Sequence, residues 1–586
     1  MPGGNWDDKA SWSLGVLPGA GQNIYITNAA ERVVVIDSET AQSAPTSLTM
    51  QTLTLGASNA LVMDNLGTNT PVTVTGVLVL NEGAGLTNSA SALDCGGLAA
   101  SGPVLQDGGI MNVGGVTLVD YGAYILSNGV FNCGDLELID GGNWTFTQEG
   151  GISSITSIQL VDGANFNLNG GEMSVGSIGF QEGGAVAQNG GANHVSGLDV
   201  YSVAGASYTL NNGLFYRGSL SISAGIADGA QFLQSGGTNI VTNSLYLAGE
   251  AYHYPWDGVS ANYSLSGGAL IAQSLTLDTS GGPSDFWVGN GSAFFAGTID
   301  VSNVTWAPGA VSIGSGALGC ENFLNSGGTI FMSQTGGVLL VTNLFQFGGY
   351  YPRPYGFGAG HGVYTLSGGT AFASNIIIDS EWNIGGSAGA ITNPGSFQLS
   401  GVLDIGSSQQ LGIFILATNG SSLFAEDGTP TGVPAVTHAL INFTGNDVQL
   451  AFASSSGMAW TNGVKLVITN WEGSLNGGGA EQLKFGGSSS GLAPAQLAQI
   501  QFVNPGGLPA GTYSAQILDS GEVVPLNTQW VVMTEQNKSL CLTWPAGTIL
   551  QSSTNAAGPY TDVPGAVSPY TPAMTNEPRQ FFRFRQ

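Results

Sequence analysis

A short pattern returns through most of this 586-residue chain: a small or polar residue, then apolar residues in alternation. It reads QTLTL at Leu53, GVLVL at Leu78, GGLAA at Leu98, GGVTL at Val116, GDLEL at Leu136 and TSIQL at Ile158. It continues as GSIGF (Ile178), SGLDV (Leu198), GSLSI (Leu220), NSLYL (Leu245), QSLTL (Leu275) and GTIDV (Ile299). TNLFQ (Leu344), SNIII (Ile376) and SGVLD (Val402) close the series. Where the spacing is cleanest it is 18 to 22 residues. A fixed period of that length is the mark of a stacked repeat architecture. It suits one coil of a β-solenoid, with two or three short strands per coil and Gly or Asn at the corners, where positive φ is tolerated.

A second element precedes each strand: an aromatic or apolar pair, a polar residue, then Gly-Gly. Examples are FNLNGG (Phe166), AVAQNGG (Val186), FLQSGG (Phe232), YSLSGG (Tyr263), FLNSGG (Phe323), FMSQTGG (Phe331) and YTLSGG (Tyr364). Stacked coils would line these aromatics up as ladders. Their plain role is core, since a stack of coils must fill its interior. The same register places Cys95 of LDCGGL and Cys133 of FNCGDL in one column, with Val113 of MNVGGV between them. Coils lie about 4.8 Å apart, so the two thiols are about 9 to 10 Å apart. That is beyond disulfide reach, and both are read as reduced, inward-facing small hydrophobes.

Composition narrows the function classes. Lys and Arg number 10 against 38 Asp and Glu, for a net charge of −28. Such a chain has no basic patch with which to hold nucleic acid or an anionic membrane. Only 8% of residues are charged, yet 42% are hydrophobic and patterned, which argues for a long core against disorder. No apolar run is long enough for a transmembrane helix. Met1 is followed by Pro-Gly-Gly, so no signal peptide is read in this sequence. Four cysteines without a CxxC pair fit neither a zinc site nor a disulfide framework. No catalytic, cofactor-binding or metal motif is found, and no cofactor or metal is expected.

The chain resembles the repetitive β-solenoid surface proteins of Gram-negative bacteria that carry autotransporter-associated β-strand repeats. GNWDDKASWSLGVLPGAGQNIYI (residues 4–26) is similar to their entry segment. VKLVITNWEGSLNGGGAEQLKFG with GLAPAQLAQIQFVNPGGLPAGTYSAQIL (within 464–518) looks like the module that closes such repeats. The stretch from LCLTWPAGTILQSS to the C-terminus resembles a small β-domain of secreted bacterial proteins. The resemblance implies a secreted or cell-surface location and a structural or adhesive role. The residues after Gln529 are too few for a membrane barrel of twelve strands of about ten residues each, so self-translocation is not expected.

The expected fold is therefore all-β: a single long β-solenoid (parallel β-helix) with caps and a small β-sandwich-like terminal domain. Residues 1–30 are read as an N-terminal cap and 31–425 as repeats. Residues 426–527 are read as the solenoid end with its capping module, and 528–586 as the terminal domain. APAQLAQI (Ala493–Ile500) is the one convincing short helix, opened by Pro494.

Two insertions interrupt the period, near residues 250–262 and 348–363. Val241-Thr242-Asn243 matches Val341-Thr342-Asn343, Leu265 to Gly268 matches Leu366 to Gly369, and Asp285 matches Glu381. The insertions are thus copies in a duplicated block four rungs long, and both should leave one corner about 19 Å apart. Tyr252, Tyr254, Trp256 and Asp257 in one, and Tyr350, Tyr351, Arg353, Tyr355 and Phe357 in the other, form a candidate surface for polysaccharide. Loops that plug the solenoid, or that meet a second protomer in self-association, account for the same aromatics. The leading expectation is a non-enzymatic extracellular or cell-surface scaffold, with adhesion or polysaccharide binding as its sharper form. The alternative is a glycoside hydrolase or lyase on a β-helix. A lyase is disfavoured by the scarcity of cations. A hydrolase needs two carboxylates roughly 5 to 9 Å apart; Asp278, Asp285, Asp300, Asp379, Glu381 and Asp404 lie near the relevant rungs without a recognisable motif.

Overall fold

A computed structural model describes residues 3–585, apart from 140–144, 182, 203–204, 225–228, 250–259, 280–281, 303–308, 326–329, 348–361, 379–380, 385–387, 418–437, 527–531, 537–538, 545–548 and 573–578. Within them, 42 strands join in one hydrogen-bonded system. Successive coils pair in parallel, which identifies the stack as a β-solenoid. Alternation dictates the arrangement: every second side chain enters the core, and the residue between points out.

Three ladders run along the stack. The first links Phe146, Phe166, Val186, Tyr208, Phe232 and Tyr263. The second links Cys133, Ile155, Val175 and Val195. The third links Leu220, Leu245, Leu275 and Ile299, and is the recurrent strand of the sequence. All these side chains are buried. Rings in the first ladder stack at the coil spacing: 4.9 Å for Phe146–Phe166 and 5.0 Å for Tyr208–Phe232, with interplanar angles of 6° and 3°. Cys95 pairs with Val113 and Val113 with Cys133, so the thiols are two rungs apart, buried and free, as expected.

The polar residue before Gly-Gly has a role that the sequence pattern hid. Gln148, Gln188, Gln234 and Gln334 point inward and are buried. From each, Nε2 donates to a corner glycine carbonyl of its own coil and to a backbone carbonyl one coil on; for Gln334 these are Gly337 at 3.4 Å and Thr370 at 3.0 Å. Its Oε1 accepts from the next rung's tyrosine: Tyr364 at 2.6 Å, and likewise Tyr208 on Gln188 at 2.7 Å. In the register between Gln148 and Gln234, Gln alternates with Leu168 and Leu210. Where Phe166 replaces the tyrosine, the Ser153 hydroxyl serves Gln148 instead at 2.7 Å. Buried amide groups thus find partners, as they must.

The corners are as tight as the Gly-Gly pairs imply. Gly237 holds φ +65°, and a Cβ there would lie 2.6 Å from the carbonyl oxygen of Gly213 on the rung before. Only glycine meets both demands.

Four positions of the sequence register need correction. The third-ladder partner of Phe323 is Phe345, not Leu344, because the register shifts after Cys320. Phe323 itself pairs with Ile299, so FLNSGG belongs to the third ladder rather than the first. In FMSQTGG the inward residue is Met332; Phe331 faces out and is 49% exposed. Val402 and Leu403 stand opposite Glu381 and Trp382 in the first ladder, and the third-ladder successor of Ile376 is Phe397.

The parallel pairing extends on both sides of 31–425. Gly3–Asn5 and Asn23–Ile26 already pair in parallel with later strands. At this end Trp6 is buried, packs edge-on to Trp12 at 4.9 Å and donates to Ser47. A short helix, Ser38–Ser43, was not read from the sequence; its signal is the Asp37/Thr40 capping box. At the other end parallel pairing reaches Ile500–Val503. Thr512–Ile517 and Glu522–Pro525 then turn antiparallel and close the edge, which otherwise invites further pairing. The helix Pro494–Leu497 sits here, opened by Pro494. A hairpin (Val532–Gln536 with Ser539–Thr543) and a three-stranded antiparallel sheet follow, with Leu542, Trp544 and Leu550 as their small core. No helix among the described residues is long and apolar enough to cross a membrane.

Candidate functional site

The loop residues Tyr252, Tyr254, Trp256, Asp257, Tyr350, Tyr351, Arg353, Tyr355 and Phe357 lie outside the described residues. Their anchors do not. One loop joins Thr238–Ala248 to Ala261–Leu265, the other Val338–Phe347 to Gly362–Leu366. Ala261 reaches Gly362 in register through Ser284, Gly309 and Ile330, four rungs on. The anchors of the two loops therefore stand at the same corner of the stack, four rungs or about 19 Å apart.

A longer feature lies on the outer side of the second ladder. One outward column runs unbroken from Thr73 through Asp94, Asn112 and Asn132 to Ser154, Ser174 and His194. It continues through Tyr216, Ile240 and Ile271 to Phe294, Gly319, Leu340 and Phe372. Its chemistry changes once. Every residue up to His194 is polar, and every one from Tyr216 on is apolar or glycine. His194 and Tyr216 meet at the change, with ring centroids 5.6 Å apart.

The polar half borders an open groove of about 610 Å³. One wall is a chain of hydrogen bonds: Asn132 Nδ2 donates to Asn112 Oδ1 at 2.8 Å, and Asn112 Nδ2 to Asp94 Oδ1 at 2.7 Å. The trough beside it exists because Gly96, Gly114 and Gly134 present no side chain. A Cβ on Gly114 or Gly134 would stand 2.3 or 2.1 Å from the carbonyl of the previous glycine. Thr75 and Thr156 flank the glycines, and Cys95, Val113 and Cys133 underlie them. No Lys or Arg lines the groove.

The groove's thiols are not poised for nucleophilic chemistry. Burial pushes Cys95 up to about 12, helped by the nearby Cys133 and Asp94. Burial likewise holds Cys133 at about 12, against the lowering effect of a hydrogen bond with the Val116 backbone. Both stay protonated at neutral pH, and a thiol reacts through its thiolate.

Of the carboxylates singled out in the sequence, Asp278 accepts from Tyr246 at 2.5 Å and Asp404 from Asn442 at 2.8 Å, both structural bonds between neighbouring rungs. Burial raises Asp285, opposed by a hydrogen bond with the Ala310 backbone. Asp379 lies outside the described residues. Among the described residues, no group of three or more His, Cys, Asp or Glu is placed to hold a metal ion.

No protein-family model, curated protein or solved structure matches this chain.

The sequence reading missed the outward column because the period is carried by the inward residues. A signal was available. In Met173-Ser174-Val175 the alternation is intact, whereas Leu270-Ile271-Ala272, Ala293-Phe294-Phe295 and Leu339-Leu340-Val341 put three apolar residues in a row. A strand with an apolar outward residue cannot be explained by its own core.

Proposed function

We propose that the protein is a non-enzymatic structural or adhesive scaffold acting outside the cell or at a bacterial surface, and that it holds a neutral polysaccharide along its polar half. The location and the adhesive role rest on the resemblance to surface solenoids with autotransporter-associated repeats. The observation that carries the ligand class is the groove from Thr73 to Thr156. Its wall repeats a hydrogen-bonding side chain, uncharged at every rung but that of Asp94, at the coil spacing of about 4.8 Å, close to the length of one sugar ring in an extended glycan. A chain lying along the stack would meet an amide or hydroxyl at each sugar. The amides of Asn112 and Asn132 each use one donor and keep further capacity toward solvent. Asp94 in the wall and the absence of Lys and Arg from the lining disfavour uronate-rich polymers. The aromatic loops leaving the third-to-first corner offer a second contact for the same ligand.

Retention on insoluble neutral glycans, with released reducing ends measured in the same tubes, tests this reading. The expected outcome is retention without release. Asn112→Ala with Asn132→Ala should weaken retention roughly 5- to 150-fold, the loss of two hydrogen bonds at about 0.5–1.5 kcal/mol each. Release of reducing ends would make the protein a glycosidase, and absence of retention across neutral glycans would end the proposal.

A further inference from the structure

Among the described residues, the apolar half of the outward column is a face without a partner. Tyr216 is 40% exposed, Ile271 45%, Phe294 50% and Leu340 37%. The outward column beside it adds Leu214, Ala269, Ala317 and Val338, the last 45% exposed, with the short uncharged Thr238, Ser292 and Thr370 at its other rungs. A contiguous apolar patch on a soluble surface marks an interaction site. We infer that this face is the interface through which a second copy of the chain docks, the two solenoids lying antiparallel about a two-fold axis at Phe294.

Three observations select a second copy over other occupants. The first is charge. The chain carries −28, so two copies repel unless they meet where the charge is absent. On this face, among the described outward residues of the rungs from Tyr216 to Phe372, Glu321 is the one charged side chain.

The second is self-complementarity, which a two-fold interface requires. Seven rungs separate into three on each side of Phe294, and the aromatic residues stand at both ends and in the middle. An antiparallel copy sets Tyr216 against Phe372, Ile240 against Leu340, and Phe294 against Phe294. It also sets Ile271 against Gly319, a projecting side chain against the one position that has none. A polysaccharide would favour aromatic platforms throughout, whereas the positions between the aromatics here are aliphatic.

The third is area. Six coil steps span about 29 Å, and five residues of strand about 16 Å. That is roughly 500 Å² in plan per copy and roughly 1,000 Å² for the pair, at the threshold for a specific interface. The association should accordingly be reversible and concentration-dependent.

The test is sedimentation velocity on the full chain from about 1 to about 100 μM, spanning the range of weak specific dimers. The wild type should shift from monomer to dimer. Ile271→Asp with Leu340→Asp buries uncompensated charge opposite Gly319 and Ile240 of the second copy and should weaken the dimer at least 100-fold with an unchanged melting temperature. Ile271→Val with Leu340→Ile should leave it intact. Should the charged pair lower the melting temperature, Phe294→Ser alone serves as the second variant, with the same loss expected. A wild type that stays monomeric overturns the inference. So does a dimer that survives both variants, which would place association at the aromatic loops. So does loss of glycan retention in the charged variant of a monomeric wild type, which would assign the face to a glycan.

Discussion

Gln334 lies inside the solenoid among apolar rings, yet its position in the ladder is held by Leu366 one rung on and by Ile313 one rung back. Leucine there is compatible with the fold, so the amide is retained for what it bonds. Replacing Gln334 by Leu removes an acceptor from the Tyr364 hydroxyl, which is fully buried. Removing one partner of a buried hydrogen bond costs about 1–3 kcal/mol. Tyr364→Phe alone strands the amide oxygen instead. The pair Gln334→Leu and Tyr364→Phe should therefore destabilise by less than the sum of the single changes, by about 1–2 kcal/mol in a urea-melt cycle. Strict additivity would show that the two groups do not act as a unit. The buried thiols make a second residue-scale prediction. Cys95, Cys133 and Cys320 are raised by burial from 9.0 to about 12. In the unfolded chain they ionise near the ordinary value, so between about 9 and about 12 the unfolded state holds fewer protons than the folded one. Their contribution to stability is complete below pH 9 and is lost as pH rises toward 12. Burial raises Tyr208, Tyr263 and Tyr364 as well, which adds to the same slope. Melting temperature should fall steadily above pH 9, and a flat profile to pH 11 would contradict the buried assignment.

At the scale of the coil, the corner sets the register. Gly237→Ala adds a Cβ 2.6 Å from the Gly213 oxygen at a residue with φ +65°. Both the contact and the backbone conformation oppose it, so a loss of about 2–3 kcal/mol is expected by chemical denaturation. A change under about 0.5 kcal/mol would mean that the rungs are spaced more loosely than the geometry shows. The same corner explains what could be read from sequence. Period, inward aromatics, the Gly-Gly column and the paired position of Cys95 and Cys133 all follow from residues that repeat because every coil needs them. Leu344 was misassigned because a one-residue register shift after Cys320 moves the inward side chain to Phe345. Apolar residues stand on both sides of that shift, so the pattern alone cannot choose between them. Phe331 was misread for a related reason: an aromatic was assumed to face in, while the smaller Met332 does. The buried glutamines were invisible because a polar residue before Gly-Gly reads equally well as the start of a turn.

Along the whole molecule, one outward column divides the stack. Up to His194 it offers amides and hydroxyls beside a glycine trough, and from Tyr216 it offers aliphatic and aromatic surface. The inward ladders keep their register through the boundary, with the buried Arg217 standing between Val195 and Val241 in the second ladder. On the proposed reading the two halves serve different partners, a ligand toward one end and a second copy toward the other. Contacts in a stack of coils are made between neighbours only, so changes at Asn112 and Asn132 should not reach Ile271 and Leu340 through the fold. The decisive measurement compares the Asn112→Ala/Asn132→Ala and Ile271→Asp/Leu340→Asp proteins in parallel, reading glycan retention and sedimentation from the same preparations. The account predicts a clean exchange: the first protein dimerises and fails to hold glycan, and the second holds glycan as a monomer. Two proteins that lose both properties together, or neither, would show that the two halves of the column are not separate working surfaces.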